Sequence, residues 1–293
     1  MLRIWLTAAR VRTLPAAIAP VLVGTALAWE LEEVFRAGAF VAALLGSILI
    51  QIGTNLSNDY SDARRGADAE DRLGPVRVTA GGLVPPTQVL MATYVTFALA
   101  ALCGVYLVSV AGIELLFVGI ASIAAGVLYT GGPRPYGYEG LGEVFVFLFF
   151  GIVAVAGSTF AQLERWPWEA FVLAVPVGLL AAAILVVNNV RDVDTDKRAG
   201  KRTLAVKLGR DRARLLYAAM LYGAYVVAPP AWLSDALAGP WLILPWVTLP
   251  VAVKLARTVR EHVDGPTLNA ALAQTGQLQL GFCLLLSAAI LAS

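Results

Sequence analysis

The sequence is short of histidine, cysteine and charge. His262 stands alone, Cys103 and Cys283 are the only thiols, and Asp, Glu, Lys and Arg together make up 14% of 293 residues. One imidazole cannot build a histidine metal cluster or a repeated proton relay, so His262 reads as a solvated loop residue. Two thiols, each inside an apolar run, form neither a disulfide framework nor a zinc site. The scarcity of charge, with 59% hydrophobic residues and a mean hydropathy of +0.74, excludes an ordinary soluble domain. What remains is an integral membrane protein, with the bilayer as a partner and no nucleic acid expected.

A helix needs about 20 mostly apolar residues to span a bilayer. Nine stretches qualify, approximately 14–30, 38–57, 88–110, 113–130, 141–162, 168–190, 214–233, 238–257 and 275–292. Pro15, Pro20, Pro176, Pro229, Pro245 and Pro250 fall inside them. In a membrane such prolines are tolerated where neighbouring helices re-satisfy the backbone. Runs such as 144–155 show no alternation, which removes a β-barrel. The expected fold is all-α, one domain over residues 1–293 with nine transmembrane helices.

Charge decides the orientation. Of the 22 Lys and Arg residues, 20 fall on the amino-terminal arm and on the 2–3, 4–5, 6–7 and 8–9 connections, leaving Arg36 and Arg165 for the other face. The positive-inside rule then predicts a cytoplasmic amino terminus in a cell (inner) membrane and a carboxyl terminus outside. Ala26-Leu-Ala28 after Arg3, Arg10 and Arg12 also fits a cleaved secretory signal, but Pro15, Pro20 and eight further spans make a retained helix simpler.

Two acidic stretches follow spans two and six, on the same side of the membrane. Asn58 and Asp62 lie in Asn55-Leu-Ser-Asn-Asp-Tyr-Ser-Asp62, with Asp68 beyond, and Asp192 and Asp196 lie in Asn188-Asn-Val-Arg-Asp-Val-Asp-Thr-Asp196. Each pair is spaced i, i+4, so each occupies one helix face if the helix persists past the membrane boundary. The four-span interval implies a parallel repeat, approximately 1–135 and 136–260, plus a ninth helix at 275–292. Carboxylate and amide oxygens are hard ligands, and an open set of them suggests Mg²⁺ shared with a phosphate or diphosphate. Cations surround them: Arg64, Arg65, Arg72 and Arg77 on one loop, Arg191, Lys197, Arg198, Lys201 and Arg202 on the other, and Arg134 between. Around Arg134, Tyr129-Thr-Gly-Gly-Pro-Arg134 reads equally as a tight turn and as a device aiming Arg134 and Tyr129 at the cavity mouth.

These residues resemble the UbiA superfamily of intramembrane prenyltransferases, and most of all its 1,4-dihydroxy-2-naphthoate polyprenyltransferase branch. The stretches that carry the likeness are 9–16, 55–68, 74–79, 129–143 and 188–205. The resemblance implies a UbiA-type bundle with cytoplasmic cap loops. It implies Mg²⁺ on Asn58, Asp62, Asp192 and Asp196, diphosphate on Arg134, Lys201, Arg72 and Arg191, and catalytic roles for Asp62, Asp68, Asp192, Asp196 and Tyr129. The implied reaction transfers a polyprenyl group from polyprenyl diphosphate to 1,4-dihydroxy-2-naphthoate, with loss of CO₂ and diphosphate, giving demethylmenaquinone in menaquinone biosynthesis. One departure stands out. The superfamily often has a third acid four residues after the second, where this chain has Gly66 and the next acid is Asp68. Asp59, Asp68 and Asp194 are open candidates to keep an acceptor hydroxyl ionised. Another acceptor, such as homogentisate or 4-hydroxybenzoate, is the alternative. A cation-coupled transporter is the remote one, disfavoured because no motif acid is expected at the membrane midplane.

Overall fold

The computed structural model describes residues 1–67, 73–74, 76–227, 234–237 and 239–293. Asp68 and Arg72, both expected in the site, lie outside the described residues, as does Pro229. No strand occurs among the described residues. The amphipathic helix α1 (Leu2–Ala9) turns through 50° into α2 (Pro15–Glu32). α3 (Ala37–Arg64), α4 (Pro86–Ala111) and α5 (Glu114–Leu128) follow. α6 (Gly142–Val146) and α7 (Ala154–Leu163) are joined by a π-helical segment, Phe147–Val153. Then come α8 (Trp168–Arg198), the short α9 (Leu204–Leu208), α10 (Arg210–Val227), a 3₁₀ segment Pro240–Thr248 that runs into α11 (Leu249–Glu261), and α12 (Gly265–Ile290).

Five of these segments are long and apolar enough to cross a membrane, or six if α1 and α2 count as one bent span. The other expected spans are helical where described, but shorter or more polar. α5 has 15 residues, about 22 Å at 1.5 Å per residue against a hydrocarbon core of about 30 Å. α10 opens with Arg210, Asp211, Arg212 and Arg214, and α12 carries Asn269, Gln274, Gln277 and Gln279.

Burial explains the difference between helices of similar length. The most apolar stretch of α8 is 72% buried, that of α4 only 17%. α8 therefore runs through the middle, against α10, α12 and the π-helical segment, while α4 is peripheral and packs mainly on α3. Where α8 meets the π-helical segment there is no room for side chains: a Cβ on Gly151 would lie 2.6 Å from the Gly178 Cα. Small residues let helix backbones approach where lipid gives no hydrophobic drive to association. The largest core cluster joins α2, α7, α8, α10 and α12 through residues such as Leu27, Val155, Leu180, Tyr217 and Phe282.

Candidate active site at two helix ends

α3 and α8 are the longest helices, and each continues past its apolar stretch to carry its acids on its last turns. They stop in the same way. Gly66 follows Asp62 by four residues and Gly200 follows Asp196 by four, with φ of 64° and 73°. In both, the glycine N–H donates three residues back, to Ala63 at 3.1 Å and to Lys197 at 3.3 Å. The next N–H donates to the motif acid's own carbonyl, Ala67 to Asp62 at 3.0 Å and Lys201 to Asp196 at 2.9 Å. This is the Schellman closure, which needs a left-handed residue at the glycine. Gly66 thus has a backbone task that an aspartate would meet only with strain.

The second cap delivers a cation to the first motif. Lys201, next after Gly200, places Nζ 3.2 Å from Asp62 Oδ2, the same oxygen that accepts from Arg77 Nη2 at 3.0 Å. Asp62 Oδ1 accepts from the Tyr138 hydroxyl at 2.7 Å, and the Lys201 ammonium also lies 4.9 Å from the centre of the Tyr138 ring. Asp62 is 1% exposed, so its charge is matched by two cations held almost out of water. Asn58, one turn earlier, accepts from the Thr130 hydroxyl at 2.9 Å. Asp59 faces away from the cavity and takes the backbone N–H groups of Val78 and Thr79, at 3.1 and 2.8 Å, pinning the loop that carries Arg77.

In the second half, Arg191 spends its guanidinium on protein. It is 1% exposed and grips both oxygens of Asp192, at 2.7 and 2.5 Å, while donating to Asn188 Oδ1 at 2.9 Å and Asn269 Oδ1 at 2.5 Å. Asn269, on α12, donates in turn to the Leu73 carbonyl at 2.9 Å and so reaches the first cap loop. Asp194 is exposed and pairs with Arg210 at 2.9 Å.

Asn58, Asp62, Asp192 and Asp196 all line one cavity of about 450 Å³. Arg10, Arg77 and Lys201 line it as well, whereas Arg134 is exposed and, like Arg191, is not in the lining. Below the acids the walls become aromatic and aliphatic. Tyr136 stacks on Phe145 at 3.9 Å, flanked by Tyr129 at 5.4 Å and Phe149 at 6.1 Å. Burial pushes the Tyr136 hydroxyl well above its usual range, and it stays protonated to donate to the Ala125 carbonyl at 2.9 Å. A charged mouth over an apolar body suits an amphiphile with an anionic head. Of the residues expected from sequence, Asn58, Asp62, Tyr129, Asp192, Asp196 and Lys201 share this cavity. Tyr138 and Thr130 are contacts that spacing did not single out, and Arg77 is one cation among four on its loop until Asp62 distinguishes it.

The profile of the UbiA prenyltransferase family matches residues 17–272. The chain belongs to this family. It is 43% identical over 287 residues to a 1,4-dihydroxy-2-naphthoate octaprenyltransferase of Mycobacterium tuberculosis, covering 98% of this chain and 96% of that one. It is 39% identical to the Escherichia coli protein of the same name, over 92% and 89% of the two chains. Among solved structures, a UbiA homolog from Archaeoglobus fulgidus bound to DMAPP and Mg²⁺ superposes with a TM-score of 0.68, at 14% identity over 98% and 99% of the chains. An apo UbiA homolog from Aeropyrum pernix gives 0.70 at 15% identity, over 95% and 97%. The bundle is therefore a UbiA fold, and the enzyme is a prenyltransferase of that family.

Proposed function

We propose that this UbiA enzyme transfers a polyprenyl group from polyprenyl diphosphate to 1,4-dihydroxy-2-naphthoate, with release of CO₂ and diphosphate, and that it requires Mg²⁺. The observation that carries the reading is the single cavity in which four hard-oxygen residues and three cations stand over an aromatic body. The choice of naphthoate is supported by the naphthoate octaprenyltransferases to which the chain is 39–43% identical over 92–98% of its length.

The donor set fits Mg²⁺. Among the described residues no three of His, Cys, Asp and Glu gather closely enough to hold a metal alone. An ion here would thus complete its octahedron with diphosphate and water, as Mg²⁺ habitually does. A carboxylate offers about four lone pairs, so Asp62 and Asp192 retain acceptor capacity beside their present partners. Asn58, Asp62, Asp192 and Asp196 would hold it, and bound there it would supply positive charge against the diphosphate as the leaving group departs.

The chain's own residues do the rest. Lys201 and Arg77 hold diphosphate oxygens, with Arg10 in the same cavity lining, and exposed Arg134 and the sequence-expected Arg72 are further candidates for them. Charge fixed in advance stabilises the anion that forms when the allylic C–O bond breaks. The freed allylic carbon bonds to the carboxylate-bearing ring carbon of the acceptor, and CO₂ leaves with its C–C bond electrons returning to the ring. The product is a quinol, two electrons more reduced than demethylmenaquinone. Tyr129, Tyr136 and Phe145 offer ring faces to developing positive charge and keep water from it. Arg191 serves this site indirectly, by orienting Asp192.

The same reading takes residues 1–293 as one domain of two four-helix repeats and a ninth helix. It places nine crossings in the cell (inner) membrane, with the caps and the amino terminus cytoplasmic. The matching Schellman closures after Asp62 and Asp196 support the repeat. Membranes containing the protein, supplied with Mg²⁺, a labelled prenyl diphosphate and each candidate aromatic acid in turn, test the reaction. Prenylated product with stoichiometric CO₂ is expected from 1,4-dihydroxy-2-naphthoate, and turnover confined to homogentisate or 4-hydroxybenzoate would refute that acceptor.

A further inference from the structure

Behind the second motif sits a carboxyl that the reaction described above does not use. Glu143, in the first turn of α6, is 3% exposed. Its Oε1 accepts from Asn189 Nδ2 at 2.8 Å, and its Oε2 has no hydrogen-bond partner. We propose that Asn189, held by Glu143, accepts a hydrogen bond from a hydroxyl of the aromatic acceptor, and that Glu143 is the positioning residue that turns the amide for it. This rests on the naphthoate reading.

The orientation follows from chemistry. Glu143 Oε1 is an acceptor, so the amide nitrogen of Asn189 must face it and the amide oxygen must turn the other way. Of the two residues, Asn189 lines the cavity and Glu143 does not. The free end of the Asn189 side chain is therefore a carbonyl, available to a donor in the cavity.

The surroundings suit a flat ring. Glu143 follows Gly142, where a Cβ would lie 3.0 Å from Leu185 Cδ2 and 3.2 Å from Tyr129 Cε2. Leu185 and Tyr129 both line the cavity, and Leu185 stands one turn before Asn189 on α8. An amide carbonyl thus borders an aromatic and aliphatic wall. Asn189 is also one turn before Asp192, on the membrane side of the acids, where an acceptor must lie to meet the allylic carbon. A purely structural role is a poor account of Glu143. Leaving Oε2 buried without a partner is costly, and an apolar side chain of similar length would fill the space without that cost.

The acceptor chemistry names the donor. In 1,4-dihydroxy-2-naphthoate the 1-hydroxyl is beside the carboxylate and bonds to it internally, which leaves the 4-hydroxyl free to donate. The test compares wild type, Glu143→Ala, Glu143→Gln and Asn189→Ala in membranes with Mg²⁺, using 1,4-dihydroxy-2-naphthoate and 1-hydroxy-2-naphthoate as acceptors. Glu143→Ala and Asn189→Ala should raise the acceptor KM about tenfold or more with the prenyl diphosphate KM unchanged. Glu143→Gln, which still offers an acceptor oxygen to Asn189, should stay near wild type. Neither alanine variant should shift the KM for 1-hydroxy-2-naphthoate. Equal loss with both acceptors, or a parallel loss in both substrates' KM, would overturn the proposal, as would no change in either. If Glu143→Ala does not accumulate, Asn189→Ala alone decides. Wild-type failure with the naphthoate would instead refute the acceptor, and the same comparison would run on the hydroxyaromatic acid that is turned over and its deoxy analogue.

Discussion

Asp62 collects more of the site than any other residue: two cations, a tyrosine hydroxyl and the carbonyl that closes its helix. Replacing it with alanine removes a buried countercharge for Arg77 and Lys201 as well as one oxygen of the proposed Mg²⁺ site. Asp62→Ala and Asp192→Ala should each abolish Mg²⁺-dependent prenyl transfer while the protein still inserts, and retained turnover in either would sink the two-motif site. Arg191 makes a different demand. Its planar fork spans both Asp192 oxygens and two amides at once, a geometry an ammonium cannot reproduce. Arg191→Lys should therefore behave as a broken buried pair. It should lose about 3–5 kcal/mol of stability at most, read by thermal unfolding in detergent, and raise the Mg²⁺ concentration needed for activity. The acids were legible in the sequence because their spacing repeats. Tyr138 and Asn269 were not, because they reach their partners across 76 and 78 residues and nothing local distinguishes them from a turn tyrosine and a helix-end asparagine.

Among the elements, the two motif helices announce themselves as apolar runs that end in acids, and the structure extends α3 to Arg64 and α8 to Arg198 to carry them. Other details leave no such trace. Composition reads the π-helical segment 147–153 and the 3₁₀ start before α11 both as continuous helix. The helix stops can be tested. Gly200→Ala forces a left-handed alanine, costing about 1–2 kcal/mol, and displaces Lys201 from Asp62. A raised KM for prenyl diphosphate is expected, with little change for the aromatic acceptor. At α12 the start is fixed by Asp264, whose Oδ1 accepts the Thr267 N–H at 2.8 Å. The hydrogen bonds from Thr267 hold its carboxyl below its ordinary 3.8. A carboxyl depressed in the folded state stabilises above that ordinary value, and its contribution is lost as pH falls through the lower folded value. Asp264→Ala should thus melt earlier than wild type at neutral pH, and the two curves should converge in acid.

For the whole molecule, orientation can be argued from both ends of the bundle. The only cations expected on the face opposite the acids are Arg36 and Arg165, and each is neutralised there. Arg36 pairs with Glu164 and Arg165 with Glu32, both at 2.5 Å, tying the turn after α2 to the turn after α7. These pairs are half exposed and add little stability. The opposite end holds Arg77, Lys201, Arg191 and Arg210 around the acids. The positive-inside rule, which counts Lys and Arg on each side, then predicts the caps on the cytoplasmic side. Single cysteines introduced at exposed Arg212, Glu33 and Ser293, in a background lacking half-buried Cys103 and buried Cys283, check this with a membrane-impermeant thiol reagent. Arg212→Cys should react only in inverted vesicles, and Glu33→Cys only in intact cells. Ser293→Cys should label with Glu33→Cys if the number of crossings is odd. Its labelling with Arg212→Cys would leave an even number and remove one of the three crossings expected after Arg212 from the bilayer, while joint labelling of Arg212→Cys and Glu33→Cys would overturn the orientation itself.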